Sequence, residues 1–136
     1  MIYKPETYQL AREKFEYLIK NKKKFELKTY RKKRTLNQNN GYWLWLTYLE
    51  DMTGTVKDTW HRYFLQRFPT MVEATVMDRK EMVQITTSDS EMTTARMAVY
   101  MNHIDAFASD AGMTLPDLSS QKAVEMYEYY REKGML

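Results

Sequence analysis

The chain is 136 residues long, 43% hydrophobic and 14% aromatic, enough for one domain with a real core and too apolar for a disordered tail. It has no cysteine, which excludes disulfide scaffolds, zinc ribbons, iron–sulfur sites and thiol nucleophiles and fits a reducing cytosol. Its net charge of +3 is divided steeply: residues 1–34 hold twelve basic and four acidic side chains, residues 35–136 nine basic and fourteen acidic. One end is built to attract polyanions and the remainder is not.

In chain order, Met1, Ile2 and Tyr3 suit a short strand, and Lys4-Pro5-Glu6 stands where a signal peptide would need apolar residues. No run of about 18 apolar residues occurs, so the expectation is a soluble protein that stays in the cytoplasm. Tyr8, Ala11, Phe15, Leu18 and Ile19 recur at helical spacing, predicting a helix over 6–20 that stops at Asn21 and Lys22-Lys23-Lys24. Residues 25–32 alternate, with Phe25, Leu27 and Thr29 on one face and Glu26, Lys28, Tyr30 and Lys32 on the other, as in a half-buried strand.

Thr35-Leu36-Asn37-Gln38 matches a capping box, the Thr35 hydroxyl capping while Gln38 reaches back, so a helix is expected from there to about Met52. Its apolar residues, Leu36, Tyr42, Trp43, Trp45, Leu46, Leu49 and Met52, form a stripe too wide for a half-exposed helix, which implies burial on most sides or a dimer interface. Gly54 ends it, and Thr55 with Asp58 opens a helix bearing Val56, Trp60, Phe64 and Phe68 that stops at Pro69. Val, Thr and Ile over 72–87 read as a hairpin turning at Asp78-Arg79-Lys80-Glu81. Met97, Met101, Ile104, Ala108 and Ala111 mark a helix closed by Gly112, and Val124, Tyr127 and Tyr130 a last one beyond Pro116. The fold class is α+β: a single, mostly helical domain over 1–136, with an N-terminal strand–helix–strand and a central hairpin packed on four or five helices.

The strongest functional feature is basic. Lys20, Lys22, Lys23, Lys24, Lys28, Arg31, Lys32, Lys33 and Arg34 place nine cations in fifteen residues, leading into a helix N-terminus. Such a cluster neutralises phosphates and releases condensed counterions, while the open amides of a helix start offer a further anion site. Tyr30 shares a strand face with Lys28 and Lys32, where a base could stack. The plainer account is a charged edge strand protected from aggregation. Gln38, Asn39 and Asn40 either meet phosphates or base edges or simply cap the helix. Trp43 and Trp45, at helical spacing with Leu46 and Leu49, read as core.

Catalytic options are thin: the histidines, His61 and His103, are not spaced as a metal pair on one helix face, and four scattered Gly make no phosphate loop. Glu73 with Asp78 and Lys80 is the one arrangement a metal-dependent nuclease or junction resolvase could use, and chance also supplies it. A third reading is a protein-interaction module whose basic strand docks on an acidic tail.

Lys33-Arg34-Thr35-Leu36-Asn37-Gln38-Asn39, with Trp43 four residues on, resembles the signature of the bacteriophage recombination protein NinB (Orf) family. The resemblance extends loosely along most of the chain, through the strand–helix–basic strand before the motif and the Ser/Thr-rich stretch that leads to Ala106-Phe107 and Gly112. It implies a non-enzymatic recombination mediator without cofactor, homodimeric, binding single-stranded DNA with little sequence preference and working with the host single-strand-binding protein to load a recombinase. Its motif positions are Arg34, Gln38, Asn39 and Trp43, approached by Lys32 and Lys33. Asn40-Gly41 departs from relatives that offer more cations there, and the acidic remainder supplies no evident second DNA surface. The wide apolar helix at 36–52 and the Met-rich helix after Thr93 are the expected dimer interface.

Overall fold

The structure, a computed structural model, describes residues 35–136. Among these the α+β expectation holds: helices α1 (Gln38–Thr53), α2 (Lys57–Arg67), α3 (Thr94–Asp110) and α4 (Gln121–Glu132), and one antiparallel pair, β1 (Thr70–Val76) with β2 (Arg79–Ile85). The helix expected at 6–20 and the strands at 1–3 and 25–32 lie outside the described residues.

Helix α1 is the centre. Tyr42, Leu44, Leu46, Thr47 and Leu49 are fully buried, and Trp45 nearly so. On one side Tyr42, Trp45, Leu46 and Leu49 join Phe64, Met97, Tyr100, Met101, Ile104 and Leu115. On the other, Leu44 packs with Ala123, Met126 and Tyr130 of α4. The breadth of the apolar stripe is therefore accounted for largely by packing within the chain and does not by itself require a dimer interface. Three of its expected members differ: Leu36 is half-buried and precedes the helix, Trp43 is half-buried, and Met52 is exposed beside the helix end.

The caps differ from expectation in instructive ways. Asn37, not Thr35, caps α1, its side chain accepting from the Asn40 amide at 2.7 Å, so the helix begins two residues later than a Thr35 box would set it. Gln38 does not reach back; its Nε2 donates to the Thr94 carbonyl of α3 at 3.0 Å. Helix α2 starts after Val56 with no capping side chain of its own, because Glu50 of α1 accepts from the Lys57 amide at 2.7 Å instead of Thr55 doing so. Gly54 (φ 81°) and Gly112 (φ 82°) do close their helices in the left-handed conformation expected of them.

The hairpin runs in the register Thr70 opposite Ile85 to Val76 opposite Arg79, and its turn is Met77-Asp78 rather than the charged run after it. Both turn residues have positive φ, 50° and 66°, as the tight two-residue hairpin loop requires. Arg79, Lys80 and Glu81 consequently belong to β2. Gln84 Nε2 donates to the Leu65 carbonyl at 3.1 Å and ties the hairpin to α2.

Gly41 sits inside α1, where glycine ordinarily costs about 1 kcal/mol relative to alanine. A Cβ there would lie 2.5 Å from Leu118 Cδ1, so the glycine lets the segment before α4 lie close against α1. In chemical denaturation, Gly41→Ala is expected to destabilise the wild-type protein and to be neutral or stabilising in a Leu118→Ala background, the two effects failing to add. At the hairpin tip, replacing Met77-Asp78 by Asn-Gly should raise stability by roughly 0.5–1 kcal/mol, because Met77 is 92% exposed, contributes no burial and carries a strained φ.

Candidate functional site

The region favoured by the sequence enters the structure at Thr35, directly before α1. Of the candidate residues, Lys22, Lys23, Lys24, Lys28, Tyr30, Arg31, Lys32, Lys33 and Arg34 lie outside the described residues. Asn39 is exposed in the first turn of α1, and Gln38 is half-buried there, held by Thr94.

The Gln38–Thr94 hydrogen bond brings together the N-termini of the two longest described helices, of 16 and 17 residues. Neither places an acidic residue in its first turn, whereas α2 carries Asp58 there. Two helix dipoles thus present their positive ends side by side with no carboxylate in either first turn, although Asp89 and Glu91 lie just before the α3 cap. Arg96 adds a cation one turn into α3, its guanidinium donating to the Glu91 carbonyl at 2.7 Å.

Beside these helix ends runs an open groove of about 830 Å³ between the start of α1, one face of α3 and the 113–119 segment. Its inner side includes Trp45, whose indole N–H donates to the Pro116 carbonyl at 2.8 Å and pins that segment. Its described lining holds Asn102, Asp105 and Asp117 and no lysine or arginine. Hydrogen bonds from the Ser119 hydroxyl and amide keep the Asp117 carboxyl below its ordinary range, so it stays charged. A phosphate is favoured at the helix ends and disfavoured further along the groove.

A second polar arrangement gave no sequence signal. The Tyr42 hydroxyl, buried in the core, lies 2.7 Å from His61 Nδ1 and 2.9 Å from the Tyr100 hydroxyl. With the imidazole neutral and protonated on Nε2, Nδ1 accepts from Tyr42, which accepts from Tyr100. Burial pushes the Tyr42 phenol well above its ordinary value and the Tyr100 phenol up to about 12, so both remain neutral donors. The Trp43 ring lies 4.9 Å from the His61 ring and covers it. The partners are 19 and 58 residues from Tyr42, and only the packing of α2 and α3 against α1 joins them.

The residues of the nuclease reading all stand on the exposed hairpin. Glu73 accepts from Lys80 at 3.2 Å on the exposed hairpin, and Asp78 occupies the tip. Among the described residues no three His, Asp or Glu side chains gather as metal ligands, and no helix is long and apolar enough to cross a membrane. Comparison with known proteins finds no family model, curated protein or solved structure that matches the chain.

Burial holds the His61 pKa below the ordinary 6.5, with Asp58 opposing and Arg62 reinforcing the effect. The unfolded chain therefore binds the proton first, and the stability associated with neutral His61 is complete above pH 6.5 and lost as pH falls below it. Urea midpoints measured between pH 7.5 and 5.5 should fall more steeply for the wild type than for His61→Gln, whose amide keeps a partner for Tyr42 and does not titrate.

Proposed function

We propose that the protein is a non-enzymatic single-stranded-DNA-binding protein of the recombination-mediator type, similar to the NinB family in role. The observation that carries this reading is the division of charge. Residues 1–34 hold a net +8 and run directly into the N-terminus of α1, while residues 35–136 hold a net −5. Phosphates gripped by lysines and arginines release counterions, and that release drives binding without regard to base sequence. The paired N-termini of α1 and α3, whose first turns hold no acidic residue, support the same polarity where the basic segment ends in the sequence. Lys22, Lys23, Lys24, Lys28, Arg31, Lys32, Lys33 and Arg34 are the phosphate contacts in this reading, with Tyr30 as a stacking ring and Asn39 at the helix end.

In its biological form the proposal has a homodimer in the host cytoplasm that binds single strands and cooperates with the host single-strand-binding protein while a recombinase loads. The dimer contact in this reading uses a surface other than α1. Affinity arises from positioning and charge, with no bond made or broken.

Fluorescence anisotropy of equal-length single-stranded and duplex oligonucleotides, at 50 and 200 mM salt with and without Mg²⁺, tests the reading. If roughly five of the cations engage phosphates, single-strand affinity falls on the order of 100-fold between the two salts, at a slope of about −0.7 per phosphate. Lys32→Glu, Lys33→Glu and Arg34→Glu together should abolish binding, and the oligonucleotide should be recovered intact. Cleavage in Mg²⁺ would establish a nuclease instead, and absence of binding at low salt would leave a protein-interaction module.

A further inference from the structure

The exposed side of the α2–α3 contact carries an assembly of rings and one guanidinium that the basic segment does not account for. Phe107 of α3 is its hub: the rings of Phe64, Tyr63 and Trp60 lie 5.4, 5.8 and 6.2 Å from it. Arg67, in the last turn of α2, sits with its guanidinium 5.4 Å from the Phe107 centroid and 5.6 Å from that of Phe68. Phe68 in turn stacks on His103 at 5.3 Å with the planes only 14° apart.

We infer that Tyr63, Arg67, Phe68, His103 and Phe107 form a base-stacking shelf for single-stranded nucleic acid, a second contact surface beyond the basic segment. This rests on the nucleic-acid reading above and adds recognition of bases to that of phosphates. Interior rings need no cation, and a cation placed only for solubility needs no ring beneath it. Arg67 has both rings, is solvent-exposed, and makes no ion pair or hydrogen bond among the described residues. His103 is likewise exposed and carries the stack on Phe68 to the surface. Tyr63, 38% exposed, borders Phe107 one helical turn before Arg67. Planar guanidinium and aromatic faces held in place by a packed core accept the π-face of any base, and a cation beside them suits the adjoining phosphate. The nearest carboxylate along α3, Asp105, is two residues from both His103 and Phe107, which sets it about 200° round the helix from each, and it lines the groove; Asp110 lies one turn beyond Phe107 at the helix end.

The test compares binding of a thymidine strand with that of an abasic sugar–phosphate strand of equal length, by anisotropy at low salt. Wild-type protein should prefer the thymidine strand by at least about fivefold, the smallest effect expected of one stacked base. Arg67→Ala with His103→Ala, both exposed and expected to leave the protein folded at the assay temperature, should erase that preference and keep most of the affinity for the abasic strand. Arg67→Lys, which keeps charge and loses the plane, should weaken the preference alone. Equal wild-type affinity for the two strands, or a preference that survives the double variant, overturns the shelf and leaves the basic segment as the DNA site, the aromatic surface then being one for a protein. Failure of the wild type to bind either strand overturns both readings.

Discussion

The hydroxyl of Tyr42 is fully buried, and a buried hydroxyl without partners costs on the order of 1–3 kcal/mol. Its two partners stand on different helices, His61 on α2 and Tyr100 on α3, so α1 can be sheathed with its hydroxyl satisfied only when both helices dock in one register. Hydrophobic burial alone would accept several rotations of α2 and α3 about α1. The pair of hydrogen bonds selects one. That choice sets the rest of this side of the molecule, because fixing His61 also fixes Phe64 and Arg67 further along α2, and fixing Tyr100 also fixes His103 and Phe107 along α3. The rings on the outer side of the α2–α3 contact inherit their alignment from a hydrogen bond in the core.

Thr47 offers the contrast. It too is fully buried on α1, yet its hydroxyl finds no partner among the described residues. A core can carry one unsatisfied hydroxyl where shape decides, and cannot where direction has to be specified.

Much of the helical layer was legible in the sequence because it follows from periodicity. Trp60, Phe64 and Phe68 recur at the spacing that buries one helix face, Met97, Met101, Ile104 and Ala108 do the same, and Gly54 and Gly112 mark the ends. What could not be read depends on contacts between distant residues. Gln38 has the identity a capping box requires, but a carbonyl 56 residues away offers a better-placed acceptor, and Asn37 is then left to cap. Thr55 is displaced as a cap in the same way by Glu50, which the short connection returns to the start of α2. The turn moved to Met77-Asp78 because two residues in the left-handed region close the strands directly, whereas a turn made of Arg79 and Lys80 would have removed them from the ladder. The width of the apolar stripe on α1 was correctly seen. Its cause, helices on two sides from the same chain, is invisible to a one-dimensional pattern that gives a dimer interface the same signature.

The opposing charges of the two parts of the chain bear on how a strand would lie. A uniformly basic protein attracts a polyanion over its whole surface and fixes neither path nor polarity. Here the described body repels phosphate on average, and the groove beside α1 carries Asp105 and Asp117 on its wall. Favourable sites are therefore few: the basic segment, the joined ends of α1 and α3, and the arginine over Phe68 and Phe107. Repulsion between these places restricts a bound strand as effectively as attraction at them, since a chain of phosphates avoids the acidic wall whatever its sequence. In the proposed reading, specificity for a path along the protein requires no readout of bases and comes from placing carboxylates where the strand should not go.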